Sequence, residues 1–203
     1  MLFRSFYADE GPKGPVVSPG AYVVRVTTRN GTQSVPLEVV LDPRLKDTVT
    51  ADDIAAHWDL VKKTAEDIEA LHRAVNEMRA SRTALEKVRQ RTGSPRALLD
   101  AAARFDRMIT PIEEQLLQVN MKASEDNLRY PNRLNEQYDT FIATVDGDDV
   151  RPTEPQLQVF ADLHRRLGEQ LAKWRALMDK DLPALNTRLQ HEGASPLVTL
   201  SGD

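Results

Sequence analysis

The chain of 203 residues contains no cysteine. That excludes disulfides, thiolate zinc sites, iron–sulfur clusters and a cysteine nucleophile, and it fits a cytoplasmic or a periplasmic setting equally. Basic excess is also missing: 27 Lys and Arg face 31 Asp and Glu, a formal charge of -4, so the chain as a whole lacks the electrostatic footprint of a nucleic-acid binder. No apolar run approaches the roughly 18 residues of a membrane-crossing helix. Aromatic residues make up only 5%. Reactive constellations are absent too: there is no H-E-x-x-H, G-x-S-x-G, Walker loop or dinucleotide fingerprint. The chain does have 40% hydrophobic residues and a mean hydropathy of -0.48. It is too apolar to be disordered and too polar to span a bilayer, the composition of a helix-rich scaffold.

Glycine and proline are unevenly spread. Four of the nine glycines (Gly11, Gly14, Gly20, Gly31) and five of the twelve prolines precede residue 44. In that segment two β-branched runs, Ala21–Thr28 and Gln33–Leu41, flank Arg29-Asn30-Gly31-Thr32. This predicts a β-hairpin over about 20–42, with Asn30 and Gly31 tolerating positive φ in the turn. Tyr22, Val24 and Val26 share one strand face. Pro36 cannot donate to a ladder, so it places the second strand at an edge or at a bulge. Two strands are marginal alone in water; the hairpin must dock on something or complete a larger sheet.

From Thr50 the apolar period changes from two to about 3.6. Thr50 and Asp53 form a capping box, with Asp52 and Asp53 at the positive end of the dipole. Ile54, Trp58, Val61, Ala65, Ile68, Leu71, Val75, Met78, Leu85 and Val88 predict one helix over about 51–92. Its basic end (Arg79, Arg82, Lys87, Arg89, Arg91) reads as a solvated face that complements the C-terminal dipole. A second helix, about 95–120, opens on Ser94 as cap with Pro95 in the first turn, and buries Leu98 through Val119. Pro111 should kink it or restart it with Thr110 as cap. A third covers about 131–146 and a fourth about 153–191, with Thr153 and Gln156 as capping box and Pro183 as a late kink. The expected fold is mainly α: an antiparallel up-and-down bundle with two long helices over 44–203, the first and last pairing in part as a coiled coil.

Chemistry is thin. His57, His72, His164 and His191 lack metal-ligand spacing and read as surface or boundary residues. Asp146-Gly147-Asp148-Asp149 has the acid density of a calcium loop without its alternation or closing glutamate, and reads as a helix-ending loop. Glu113 and Glu114 serve a helix start; adjacent on one helix, they do not oppose each other across a cleft as a glycosidase pair must. Trp58 and Trp174 read as core anchors. No catalytic, cofactor-binding or metal residue is assigned, and no cofactor is expected.

The succession of segments resembles a known family. Ser18-Pro-Gly-Ala-Tyr-Val-Val-Arg-Val26 and Leu37-Glu-Val-Val-Leu-Asp-Pro-Arg44 resemble the last strands of an immunoglobulin-like module in bacterial sortilin-like, BNR/Asp-box β-propeller proteins, often labelled glycosyl hydrolases. Ala51-Asp-Asp-Ile54, Leu128-Arg-Tyr-Pro-Asn-Arg-Leu-Asn135, Thr144-Val-Asp146 with Pro152-Thr153, and Asp181-Leu-Pro-Ala-Leu-Asn186 are similar in order and spacing to the helical region that follows. The resemblance covers about residues 11–192. It implies that residues 1–43 are the remnant of an immunoglobulin-like β domain and that the parent is exported, periplasmic or extracellular. It also implies that the partners are the missing N-terminal propeller or immunoglobulin-like strands. No Ser-x-Asp-x-Gly-x-x-Trp box occurs, so the hydrolase label does not carry over to this chain. In keeping with a truncated fragment, Met1-Leu-Phe-Arg-Ser5 reads like translated sequencing adaptor. The expected function is a non-catalytic structural and interaction module. The alternatives are a stand-alone coiled-coil oligomerisation or partner-binding protein, and part of a glycan hydrolase whose active site lies in the missing propeller.

Overall fold

The computed structural model describes residues 14–147 and 149–197; the expectation for Met1–Ser5 and the part of the acidic loop at Asp148 lie outside them. Two strands, β1 (Gly20–Thr28) and β2 (Gly31–Val39), are followed by helices α1 (Ala51–Gln90), α2 (Arg96–Leu116), α3 (Leu134–Val145), α4 (Glu154–Ala176) and α5 (Leu182–His191). A 3-10 turn spans Ser124–Leu128, and a π-turn over Leu177–Asp181 joins α4 to α5.

The two capping boxes form as the sequence dictates. Thr50 Oγ1 accepts from the Asp53 N–H and the Asp53 carboxylate accepts from the Thr50 N–H, while Thr153 and Gln156 repeat the exchange at α4. Hydrogen bonds from the Thr50 hydroxyl and backbone, with Arg151 beside them, hold the Asp53 carboxyl down at about 2. A carboxyl depressed below its unfolded value near 4 adds stability above that pH and loses it as the pH falls through the folded value. Thermal unfolding followed from pH 4 to pH 2 should therefore show a flatter acid limb for Asp53→Asn than for the parent chain. An unchanged limb would remove Asp53 from the acid response.

The helices do not alternate up and down. Ties from α1 to α4 and α5 run in step along both chains: Arg151 to Asp53, His164 to Asp67, Trp174 to Glu77, and Arg91 to the Glu192 carbonyl. α1 and the α4–α5 rod are therefore parallel. Those from α1 to its other flank run in reverse. Arg89 and Arg82 meet Asp106 and Glu113 on α2, and His72, Asp67 and His57 meet Asn135, Tyr138 and Val145 on α3. Thus α2 and α3 both descend, covering the C-terminal and the N-terminal half of α1 in turn. Chain length explains this correction to the expected antiparallel bundle. The 40-residue α1 is about 60 Å long at 1.5 Å per residue, and neither shorter helix alone can cover its apolar stripe. The result is a rod three helices thick, with a core that runs from Leu60 and Val61 to Leu189 and Leu197.

Local expectations shift with that arrangement. α2 passes through Pro111 without a restart, and Thr110 is not a cap, since its hydroxyl donates to the Asp106 carbonyl. α2 begins at Arg96, with Pro95 in the cap position and no side-chain cap bond; the Ser94 hydroxyl donates back to the Val88 carbonyl instead. It ends at Leu116, which leaves Val119 exposed rather than inward. The chain then makes an excursion that the Gln118 amide closes by donating to the Pro131 carbonyl at 2.9 Å. Leu157, expected inward on α4, is also exposed. Pro183 does not break the last rod. Without an N–H it cannot donate to Asp179, and the π-turn absorbs the fault. The core positions Trp174, Leu177, Leu182, Leu185 and Leu189 contain one five-residue step, which a single π-turn converts back to one face.

Candidate functional site

Three groups of side chains merit a functional reading: two polar clusters within the rod, and the hairpin outside it.

The first cluster lies between α1 and α2. Glu113 is only 3% exposed and its carboxylate accepts from Arg82 and, at 3.4 Å, from Arg79. Arg82 also donates to Asp106 and Thr110, each at 2.9 Å, and Arg89 donates to Asp106 at 2.8 Å. Burial alone would raise the Asp106 carboxyl, but the hydrogen bonds from Arg89 and Arg82 outweigh it and hold it low. Arg82, Arg89, Thr110 and Asp106 line an open groove of about 660 Å³ with Thr83 and Glu86. The basic end of α1 is therefore in part an interhelical ion-pair network, not the solvated face expected. Glu113 belongs to that network, and no helix start adjoins it. Glu114 is exposed one position away. With every carboxylate already engaged by arginine, the groove presents no free acid and base facing one another.

The second cluster ties three helices at Asp67. Its carboxylate accepts from the Tyr138 hydroxyl on α3 at 2.7 Å and from His164 Nδ1 on α4 at 2.8 Å. Tyr138 is fully buried, and burial first, then its bond to Asp67, pushes the phenol upward, so it stays a donor. Phe160 stacks against both His164 and Phe141, at 5.6 and 6.4 Å between ring centroids. An imidazole backed by a carboxylate is half of a nucleophile-activating arrangement, yet no serine or threonine hydroxyl among the described residues bonds to His164. The pair orients α4 against α1. Sequence reading missed this cluster because its members lie 71 and 97 positions apart and share no local spacing.

The remaining expected sites disperse. His57 is buried, contrary to the surface or boundary reading, and its Nε2–H donates to the Val145 carbonyl at 2.7 Å. His72 meets Asn135, and His191 is exposed beside Glu192. Asp146 caps the end of α3 and accepts from the Val16 N–H at 3.2 Å. Trp174 is a buried anchor whose indole donates to Glu77 at 2.8 Å, whereas Trp58 is only half-buried. Among the described residues no three His, Cys, Asp or Glu converge as a metal site.

The hairpin differs from both clusters because, among the described residues, no other element packs over its strands. The register runs without a bulge from Gly20–Val39 to Thr28–Gly31. The turn residues are Arg29 and Asn30, neither at positive φ; only Gly31 is, at 133°. The expected turn with Asn30 and Gly31 both left-handed is thus replaced by one whose strain falls on the glycine alone. Pairing puts Tyr22, Val24 and Val26 with Leu37, Val35 and Gln33 on one face, which Val39 opposite Gly20 extends, and Val23, Arg25 and Thr27 with Pro36, Ser34 and Thr32 on the other. Val24, Val26, Val35 and Leu37 are all exposed, and on the reverse face Val23 is 66% exposed. The sheet has these two strands and no others among the described residues. Further exposed valine and leucine, at Val150, Leu157 and Val159, lie at the α3–α4 end of the rod to which Val16 is tied. No family model, no curated protein and no solved structure matches the chain.

Proposed function

We propose that the chain is a non-catalytic structural and interaction module: a stiff helical rod that carries a β-hairpin as its docking element. By the resemblance in the sequence, it forms the C-terminal part of an exported, sortilin-like β-propeller protein, with the hairpin contributing the last strands of an immunoglobulin-like sheet. The observation that carries this reading is the largely apolar face of the hairpin, with Val24, Val26, Val35 and Leu37 exposed, beside a rod whose own core is closed. Exposed contiguous apolar surface of this kind marks an interaction site. A two-stranded face of about 30 by 10 Å, from nine-residue strands, falls well short of the roughly 800 Å² per partner of a stable interface. A covalently attached β domain does not need that area, because the linkage supplies a high effective concentration.

The test is to compare the full chain with one beginning at Pro43. The shortened chain should keep its helical circular dichroism and lose less than about 2 °C in melting temperature. The full chain should bind an apolar dye such as ANS, and the shortened chain should lose that binding. A large drop in melting temperature, or unchanged dye binding, would make the hairpin part of the rod's own fold and sink the reading.

A further inference from the structure

We infer that the outer edge of β1 pairs with β1 of a second copy of this chain, forming a four-stranded antiparallel sheet across a two-fold axis. The inference rests on the hairpin being the docking element and names the occupant of its β1 edge in the chain as it stands, where no further immunoglobulin-like strand among the described residues pairs there.

The two edges of the hairpin are not equivalent. In a two-residue hairpin the closing pair, here Thr28–Gly31, is hydrogen-bonded, and the pairs alternate from there. The approach of the Thr27 and Thr32 hydroxyls to 3.1 Å fits a non-hydrogen-bonded pair, where side chains lie closer. Val23–Pro36 falls on the same parity. Pro36 therefore costs the hairpin no ladder bond, and its missing N–H faces outward, where it blunts the β2 edge. On β1 the backbone groups of Ala21, Val23, Arg25 and Thr27 face outward and, among the described residues, engage no backbone partner. Thr32, Ser34 and Glu38 face outward on β2 too, but Pro36 interrupts that edge midway while β1 offers an unbroken one, so edge pairing of two copies favours β1 and stops at two.

The β1 edge is self-complementary in one register. If Val23 faces Val23 of the other copy, Ala21 lies opposite Arg25 and Tyr22 opposite Val24, each twice by symmetry. Ala21, Val23 and Arg25 then fall in hydrogen-bonded pairs, while Thr27 lies opposite Pro19, beyond the start of the strand. Tyrosine against valine is a favourable cross-strand pair on the apolar face. On the other face, Arg25 crosses the small Ala21 of its neighbour toward Glu38, which pairs with that Ala21 and lies two strands, about 10 Å, away. Neither Arg25 nor Glu38 has a partner within its own chain among the described residues. The two rods leave from opposite ends of the joint sheet. Edge pairing buries little area, which places the dimer in the weak, transient class.

Sedimentation equilibrium on the full chain, from about 10 μM to about 1 mM, spans the affinities such an interface can have. The mass should climb toward two chains with concentration. Val23→Pro removes an outward N–H without touching the β1–β2 ladder and should give a monomer throughout; Ser34→Pro, on the β2 edge, should dimerise like the parent. Arg25→Glu should weaken the dimer roughly tenfold across its two symmetric pairs, and Arg25→Glu with Glu38→Arg should restore it. Helical circular dichroism of each variant checks the rod. A parent chain monomeric at every concentration, or a dimer that survives Val23→Pro, would overturn the inference. In either case the dye-binding comparison with the shortened chain still decides whether the hairpin is a docking element.

Discussion

Replacing Arg82 by methionine should destabilise the rod by about 3 kcal/mol, measured by urea unfolding followed at the helical circular dichroism band. Arg82 is the one side chain that reaches Asp106, Thr110 and Glu113 together. Glu113 is nearly inaccessible, and without Arg82 it keeps only the longer contact to Arg79, which is itself half in water. Removing one partner of a buried pair leaves an uncompensated charge, and that cost exceeds whatever the intact pair contributed. Two further variants separate this from lost packing. Arg82→Lys should recover only part of the loss, because an ammonium cannot fork to three acceptors. Arg82→Met with Glu113→Leu should recover most of it, since an apolar pair of similar size removes the stranded carboxylate. If Arg82→Met costs less than about 1 kcal/mol, the network is a surface feature and the burial of Glu113 has another compensation.

Trp174→Ala should cost about 3–5 kcal/mol, the range for deleting a large buried aromatic. At 4% exposure the indole fills the space between α1 and α4, and its N–H holds Glu77. The substitution opens a cavity and releases one of the four ties that set α4–α5 parallel to α1. Trp58, half-buried near the start of α1, provides the internal control: Trp58→Ala should cost clearly less. If the two losses were equal, or their order reversed, the anchor would lie at the N-terminal end of α1 and the assigned packing of α4 would be wrong.

Much of this was legible in the residues. The long helix from Thr50, both capping boxes, the hairpin and its apolar face follow from local rules: which side chains accept backbone N–H bonds, and whether apolar residues repeat at 3.6 or at 2. Other features were misread because a neighbour in space overruled a neighbour in sequence. Glu113 looks like a dipole partner until Arg82 arrives from α1. Thr110 looks like a cap before Pro111, yet its hydroxyl is taken by the Asp106 carbonyl and the Arg82 guanidinium. His57 looks like a boundary residue until the end of α3 closes over it. Pro183 does mark a late interruption of the last helix, and the five-residue step from Leu177 to Leu182 gives its form, a π-turn that keeps both leucines inside.

What the sequence determined by itself is the set of elements and their buried stripes, since caps and periodicity act within a turn or two of the chain. The direction in which those elements run was decided only by tertiary structure. A stripe states that a helix must be covered but not by what. Four stripes of unequal length can be satisfied by alternating helices or, as here, by laying α2 and α3 end to end against a longer one. The exposed hairpin belongs to both accounts. Its alternation is written in the residues, while the fact that nothing in the rod covers it depends on a core that is already closed without it.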